Sequence, residues 1–216
     1  MDKKDMKDKK IVNFIMKIFW IFVIGSIFGF VAEILYISVY TRTIEVRKGL
    51  IYGPFIQVYG IGALAYHFLT AKVKSPKEAF FYGMLMGGII EYIFSFFQEI
   101  LWESVSWDYS NMFLNINGRT SLTYAVYWGI IAVIYLKVVN PIFKKIEPLI
   151  YKKSIRICTY IFMVFMTFDI AISCMAVSRQ VERRKKISAD NGISQFLDEY
   201  YPDELLDKIY FNRRDI

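Results

Sequence analysis

Residues 11–40 read IVNFIMKIFWIFVIGSIFGFVAEILYISVY, and this stretch decides the fold class. The only charged side chains within it are Lys17 and Glu33. A helix of about 20 apolar residues is long enough to cross about 30 Å of hydrocarbon. The run is continuous and does not alternate every second residue, which favours a helix over a strand of a membrane barrel. We therefore predict a transmembrane helix here.

Further apolar runs follow along the chain, and the charged residues cluster between them. Hydrophobic residues make up 56% of the sequence. This pattern predicts an all-α integral membrane protein, a multi-pass bundle of about five transmembrane helices whose first partner is the lipid bilayer. The predicted transmembrane domain covers residues 1–177. Its spans are expected near residues 11–40, 50–70, 79–102, 120–140 and 155–177.

The second run differs in composition from a straight, lipid-facing helix. It contains GLIYGPFIQVYGIGA (49–63), with Pro54 and four glycines. Proline removes a backbone donor, and irregular backbone at membrane depth is tolerated only where protein or water satisfies its polar groups. We therefore predict that this second helix is kinked or broken and faces other helices.

The charge of the chain and its C-terminal part suggest a membrane setting and not nucleic acid. The net charge is +7, but the lysines and arginines lie beside apolar runs, and no nucleic-acid motif accompanies them. Residues 178–216 are polar and form a predicted soluble tail with one short amphipathic helix that starts near Pro202. Two readings remain open: a solvated tail, or a tail that binds a partner or the bilayer surface.

Ionisable side chains inside predicted spans are costly to insert and are therefore functional candidates. Four acids qualify: Glu33, Glu91, Glu99 and Asp169. Gln98 lies seven residues after Glu91, so both share one face of the third helix. An excess of acid over base suits handling of cations or protons, or recognition of a cationic group. In the alternative reading, Glu33 and Glu99 lie at the membrane interface and only Glu91 and Asp169 are deep.

The connection at residues 103–119 is a second concentration of polar groups. Trp107 suits the headgroup level of a membrane, which is the simplest explanation for an aromatic residue here. Asp108, Asn117 and Arg119 are more than a linker needs. Arg119 begins the fourth predicted span and is expected to pair with Asp108 or Glu99, or to bind an anionic headgroup.

Motifs of soluble enzymes are missing from the sequence. There is no G-x-x-x-x-G-K-[ST] phosphate loop, so the chain does not hydrolyse ATP by that route. His67 is the only histidine, which argues against a multi-histidine metal site. No Ser/His/acid arrangement is legible. The first reading is therefore a protein that is not an enzyme, and we expect no cofactor and no bound metal.

Three blocks of the sequence match a known pattern. The first is Gly29-Phe30-Val31-Ala32-Glu33, and the second is KGLIYGPFIQVYGIGA (48–63). The third runs from GMLMGGIIEYIFSFFQEILW to WDYSNMFLNINGR (83–119) and is followed by a span that ends in Asn140-Pro141. Over about residues 20–141 the chain resembles the bacterial membrane-protein family described as "Putative ABC-transporter type IV" or "putative ABC transporter permease". Lys48 replaces the arginine usual in that family, which loses the planar fork of a guanidinium.

The resemblance implies a transport component of a bacterial cell membrane, a permease subunit with a polar, acid-rich site between its helices. Such a permease needs a separate ATPase subunit, and a homo-oligomer is compatible with this reading. The alternatives are a non-transporting scaffold or sensor whose tail binds a partner, and an intramembrane enzyme that modifies lipid. The candidate substrate-binding residues are Glu33, Lys48, Tyr52, Glu91, Gln98, Glu99, Trp107, Asp108, Asn117 and Arg119, with Asp169 as a secondary candidate.

Overall fold

The protein is a bundle of long apolar helices. A computed structural model describes residues 3–73 and 75–216. Within this part of the chain, four helices are long and apolar enough to cross a membrane. This confirms the prediction of a helical, multi-pass membrane protein. The four helices are Met6–Thr41, Pro76–Trp102, Leu122–Ile150 and Lys153–Arg184.

The elements follow the apolar runs of the sequence, with two short strands added near the end of the bundle. In chain order they are α1 (Lys3–Thr41), α2 (Gln57–Thr70), α3 (Pro76–Trp102), β1 (Ser104–Val105), α4 (Leu122–Ile134), a π-helical turn (Tyr135–Val139), α5 (Asn140–Ile150), α6 (Lys153–Arg184), α7 (Gly192–Tyr200), α8 (Asp203–Ile209) and β2 (Arg214–Asp215).

The second apolar run differs from its prediction as one span over residues 50–70. Its helix, α2, has only 14 residues. At about 1.5 Å per residue it is about 21 Å long, short of the hydrocarbon thickness. The preceding residues 42–56 contain no helix, and within them Gly53 adopts φ +75° immediately before Pro54. We call residues 42–56 the entry segment.

The fourth span also differs, because the helix does not end at Asn140. It continues through the π-helical turn to Ile150, past the predicted end of the span at residue 140. In that turn the Asn140 N–H donates to the Tyr135 carbonyl, five residues back. Pro141 lacks an N–H, and its ring would crowd a regular helix. The wider turn accommodates the proline without ending the helix.

Helices pack closely where the sequence places small residues four apart. A side chain on either glycine of such a four-apart pair in α1 or α3 would collide with the facing helix, so these helices touch through backbone and small groups. These glycines therefore allow close packing between neighbouring helices. The contacting pairs are Gly25 with Ala63 and Gly29 with Tyr59 between α1 and α2, and Gly83 with Ala132 and Gly87 with Trp128 between α3 and α4.

The long helices α1, α3 and α6 all start at the same end of the bundle. At that end Arg156 of α6 donates to Asn13 of α1 at 3.2 Å. At the opposite end Trp102, the last residue of α3, donates to Ser178 of α6 at 3.0 Å. We call this opposite end the tail end, because the C-terminal residues fold onto it.

The C-terminal tail folds back onto the bundle. Helix α6 extends to Arg184, and β2 pairs antiparallel with β1, so that Ser104 faces Asp215. Burial of apolar side chains from α7 and α8 against α6 stabilises this arrangement. The buried residues of this tail core are Ile51, Ile172, Ala176, Leu197, Tyr201 and Leu206.

Candidate functional site

Glu91 is the most enclosed carboxylate of α3, with 5% of its surface exposed. Its Oε1 accepts a hydrogen bond from the Tyr109 hydroxyl at 3.0 Å, and its Oε2 accepts one from the Thr120 hydroxyl at 2.9 Å. An ionised carboxylate only accepts hydrogen bonds, so two hydroxyl donors suit it. Both donors come from the chain between α3 and α4.

The position of Glu91 follows from the local sequence of α3. The helix starts at Pro76, where the Ser75 hydroxyl accepts from the Glu78 N–H at 3.2 Å. Gly87 lies one turn before Glu91 and rests against the ring of Trp128. Since no side chain intervenes there, α4 comes close enough for Thr120 to reach the carboxylate.

Tyr59 of α2 links Glu91 to a second acid. Its ring lies against Gly29 of α1, and the ring centroids of Tyr59 and Trp128 are 5.3 Å apart. Tyr59 lies within electrostatic range of both Glu33 and Glu91. We call Glu33, Tyr59, Glu91, Tyr109, Thr120 and Trp128 the inner cluster.

Glu33 connects the inner cluster to the entry segment. Its carboxylate lies 3.8 Å from the guanidinium of Arg47, which is also 3.5 Å from Glu45. The same guanidinium lies 5.9 Å from the ring centroid of Phe211 in the tail. Two acids thus share one base, and the negative charge of the inner cluster is only partly compensated.

Glu99 and Arg119 form a separate arrangement near the tail end. They make an ion pair, so of the expected partners Arg119 binds Glu99. Its guanidinium lies 5.4 Å from the Tyr92 ring centroid and 5.5 Å from that of Phe96. Asn117 donates to the Tyr92 hydroxyl at 3.0 Å. This is a cation–π site in which the arginine is already engaged.

The 103–119 connection is an ordered loop stabilised by its own polar groups. Asp108 is exposed and accepts from the N–H and the hydroxyl of Ser110, which lowers the pKa of Asp108. Trp107 donates to the Arg119 carbonyl at 2.9 Å. Gly118 has φ +68°, and a side chain there would lie 2.7 Å from Asp108. These residues shape the loop that carries Tyr109 to Glu91.

Gln98 belongs to the same supporting structure and not to the inner cluster. Its amide donates to the Ser106 hydroxyl at 2.9 Å. The Asn212 amide donates to the Ser106 carbonyl at 3.2 Å. Gln98 thus holds the beginning of the loop next to the tail.

Asp169 lies in another place, on α6, where it is fully buried. Its Oδ1 accepts from the Tyr52 N–H at 3.0 Å, and the neighbouring Ser173 hydroxyl accepts from the Ile51 N–H at 2.9 Å. Lys48 is close enough to interact electrostatically with Asp169. Side chains of α6 thereby satisfy backbone donors that the irregular entry segment leaves free.

The structure therefore divides the predicted residues among several places. Glu33 and Glu91 both lie within electrostatic range of Tyr59, while Lys48 and Tyr52 of the entry segment lie near Asp169 of α6. The candidates near the tail end are Gln98, Glu99, Trp107, Asp108, Asn117 and Arg119.

Sequence reasoning missed most of the inner cluster. Tyr59 lies inside the glycine-rich block at 49–63, and Thr120 directly follows Arg119, so both were close to residues already selected. Tyr109 lies in the 103–119 connection, where the headgroup level of a membrane is the simplest explanation for an aromatic residue. Their convergence on Glu91 becomes visible only in the structure, through the hydrogen bonds of Tyr109 and Thr120 and the packing of Trp128 against Gly87.

Comparison with known proteins gives a family but no close relative. No curated protein and no solved structure matches the chain. The profile of one family, described as "Putative ABC-transporter type IV", matches residues 20–174. The match includes the whole inner cluster and Asp169, whereas the tail after residue 174 lies outside it. Since the match extends over more than half of the sequence, the chain belongs to the Putative ABC-transporter type IV family.

Proposed function

We propose that the protein is a permease subunit of an ABC-type transporter and that the inner cluster is its substrate-binding site. The observation that carries this proposal is Glu91, a carboxylate 5% exposed on a membrane-spanning helix. Placing such a group within the membrane costs about 2.5–3.5 kcal/mol on insertion scales. A carboxylate that is costly to place there indicates a structural or functional role.

The entry segment supports the same proposal. Discontinuous helices with irregular backbone form the binding sites of many membrane transporters. Here the entry segment leads directly into α2, which contributes Tyr59 to the inner cluster. Arg47 of the entry segment contacts Glu33. A movement of this segment would therefore change the surroundings of the acids.

A purely structural role for Glu91 is the main competing explanation, because Tyr109 and Thr120 both belong to the chain between α3 and α4. Glu91→Gln separates the two roles. The amide has the same shape and can still hydrogen-bond both hydroxyls, but it has no charge. The variant keeps the fold under either explanation and loses function only if the charge binds substrate.

The permease role is tested by purifying the tagged full-length chain from its native membrane after mild crosslinking. The expected result is copurification of a protein with a G-x-x-x-x-G-K-[ST] motif and ATP hydrolysis by the complex. We expect Glu91→Gln to leave the complex intact and to change its rate of hydrolysis at least about fivefold, which corresponds to about 1 kcal/mol. Glu204→Gln, which removes an exposed carboxylate of α8, is the matched control. Absence of any such ATPase from the crosslinked material would refute the permease role.

A further inference from the structure

Five tyrosines form a continuous row from the surface of the bundle to the inner cluster. Consecutive ring centroids are between 4.1 and 6.5 Å apart. The row begins at Tyr40, which is 80% exposed, and ends at Tyr109, whose hydroxyl binds Glu91. In order, the row consists of Tyr40, Tyr36, Tyr127, Tyr124 and Tyr109.

The row bridges α1 and α4 on one side of a cavity of about 170 Å³ between these helices. On α4, Tyr124 and Tyr127 lie one turn before Trp128 and Ile131, which line the cavity. Tyr59 also lines it. The polar row and the apolar cavity are therefore adjacent, and both reach the inner cluster, the row through Tyr109 and the cavity through Tyr59 and Trp128.

The cavity itself is apolar and opens toward the lipid. Its lining includes Phe28, Ile134 and Ile142, which are 46%, 41% and 54% exposed on membrane-spanning helices. At this depth of a membrane the surrounding medium is hydrocarbon. We therefore expect a single hydrocarbon chain to enter the cavity from its open side.

The charges around the row favour a cationic group. Among residues 3–73 and 75–216, Glu91 has no ion-pair partner, and its hydrogen bonds come from the uncharged side chains of Tyr109, Thr120 and Trp128. The nearby arginines are engaged, Arg47 by Glu33 and Glu45, and Arg119 by Glu99. Aromatic rings next to a carboxylate recognise ammonium groups through cation–π attraction together with the opposite charge.

We infer that the inner cluster binds an amphipathic molecule with an ammonium headgroup and a hydrocarbon chain, which enters sideways between α1 and α4. The headgroup binds among the tyrosines beside Glu91, and the chain fills the apolar cavity. This inference rests on the proposed role of the inner cluster as a binding site and names its ligand class.

An ordinary aromatic belt is the simpler explanation for tyrosines near a membrane interface. A belt, however, lies around the outside of a bundle. This row leads inward, and the ring of Tyr124 stacks on Tyr109 at 4.1 Å and 16° directly beside the buried acid. An aromatic belt would also not require an uncompensated carboxylate at its inner end.

The test measures binding of radiolabelled dodecyltrimethylammonium to the full-length chain in phosphatidylglycerol nanodiscs, with empty nanodiscs as the background. We expect saturable binding that exceeds this background. Unlabelled dodecyltrimethylammonium should compete at least about tenfold better than dodecyl maltoside, which has the same chain and a neutral headgroup. Equal competition by the neutral amphiphile, or no saturable binding, would overturn the inference.

Two substitutions test the two halves of the site. Glu91→Gln should weaken binding of the ammonium probe about tenfold, whereas Glu204→Gln should not change it. Ile134→Trp fills the mouth of the cavity and should also weaken binding. Ile130→Trp is its control, since Ile130 is similarly exposed on α4 but does not line the cavity. Unchanged affinity in a correctly folded Glu91→Gln variant, checked by size-exclusion chromatography, would contradict the inference.

The ammonium group could belong to a membrane lipid or to a water-soluble amphiphile, and nanodisc composition separates these sources. If phosphatidylethanolamine suppresses binding of the probe, a membrane lipid is the ligand. If it does not, a soluble amphiphile is. The result is also independent of the permease role. If the chain binds ammonium amphiphiles but has no ATPase partner, the ligand class is supported and the permease role is refuted. If an ATPase complex forms but no ammonium amphiphile binds, the permease role is supported and the ligand class is refuted.

Discussion

The hydroxyls of Tyr52 and Tyr201 lie 2.8 Å apart, which joins the entry segment directly to the C-terminal tail. Tyr52 precedes Gly53 and Pro54 in the irregular chain before α2, and Tyr201 directly follows α7. The tail is therefore not a free appendage. It covers the outer side of the segment that leads into the inner cluster, although it lies outside the region that matches the family.

Loss of the Tyr201 hydroxyl should loosen the tail. A neutral hydrogen bond contributes about 1 kcal/mol, so Tyr201→Phe should raise hydrogen–deuterium exchange of α7 and α8 about fivefold. Tyr200→Phe is the matched control, because Tyr200 is 57% exposed and the substitution keeps its ring contact with Phe196. Equal exchange in both variants would show that this hydrogen bond does not hold the tail.

Asp198 should make docking of the tail dependent on pH. The Arg179 guanidinium donates to it at 2.9 Å and holds the pKa of Asp198 down at about 2. A lowered pKa in the folded state means that this contribution is fully present above the ordinary aspartate pKa of about 4. It is lost as the pH falls toward 2.

Pepsin cleavage of the tail, which is measurable over that pH range, checks this dependence. Cleavage within α7 should rise between about pH 4 and pH 2 relative to a free peptide of residues 193–210. At neutral pH, Asp198→Asn should already expose α7 to other proteases. Asp190→Asn should not, because Asp190 accepts only from the Ser188 hydroxyl. A constant cleavage ratio across the pH range would contradict the prediction.

Neighbouring glycines of α3 should respond very differently to a methyl group. In Gly87→Ala the added carbon would collide with the Trp128 ring, and such overpacking typically costs about 1–3 kcal/mol. In Gly88→Ala the nearest side-chain atom is the Thr120 hydroxyl at 3.6 Å, an ordinary contact. That variant should be neutral or stabilised by up to about 1 kcal/mol through helix propensity. Melting temperatures in detergent would rank the two, and equal temperatures would exclude close packing at Gly87.

The contact between Tyr109 and Glu91 should show strong coupling. A hydrogen bond to a charged group contributes about 1.5–3 kcal/mol, so Tyr109→Phe should destabilise the wild-type chain by about that amount. In a Glu91→Gln background the same change should cost about half, since the acceptor is then neutral. A double-mutant cycle on free energies of unfolding in mixed micelles measures this difference. Additive effects would show that the two groups do not interact.

The sequence predicted the helical membrane fold from hydropathy, which depends on neighbours along the chain. It could not predict that the π-helical turn at Tyr135–Val139 carries the helix past Pro141. It also could not predict that α2 begins only at Gln57. Both features depend on hydrogen bonds of the backbone, in the π-helical turn and from the entry segment to α6, and the composition of a short stretch does not show these partners.

For the candidate site, too, the sequence predicts some features and not others. An acid in an apolar run is visible in the sequence, and Glu33 and Glu91 were therefore selected. The distance between them along the chain gives no sign that both approach Tyr59. That approach requires Gly29 to admit the Tyr59 ring and Gly87 to admit Trp128.

By itself the sequence determined that residues 11–40 and the later apolar runs form membrane helices, because the cost of exposing apolar groups to water acts on each run separately. Only the tertiary structure decided which polar groups meet. It placed Glu91 beside Tyr109, gave the entry segment its backbone partners on α6, and folded the tail over Tyr52. These contacts join residues far apart in the chain, and their free energy depends on packing between helices.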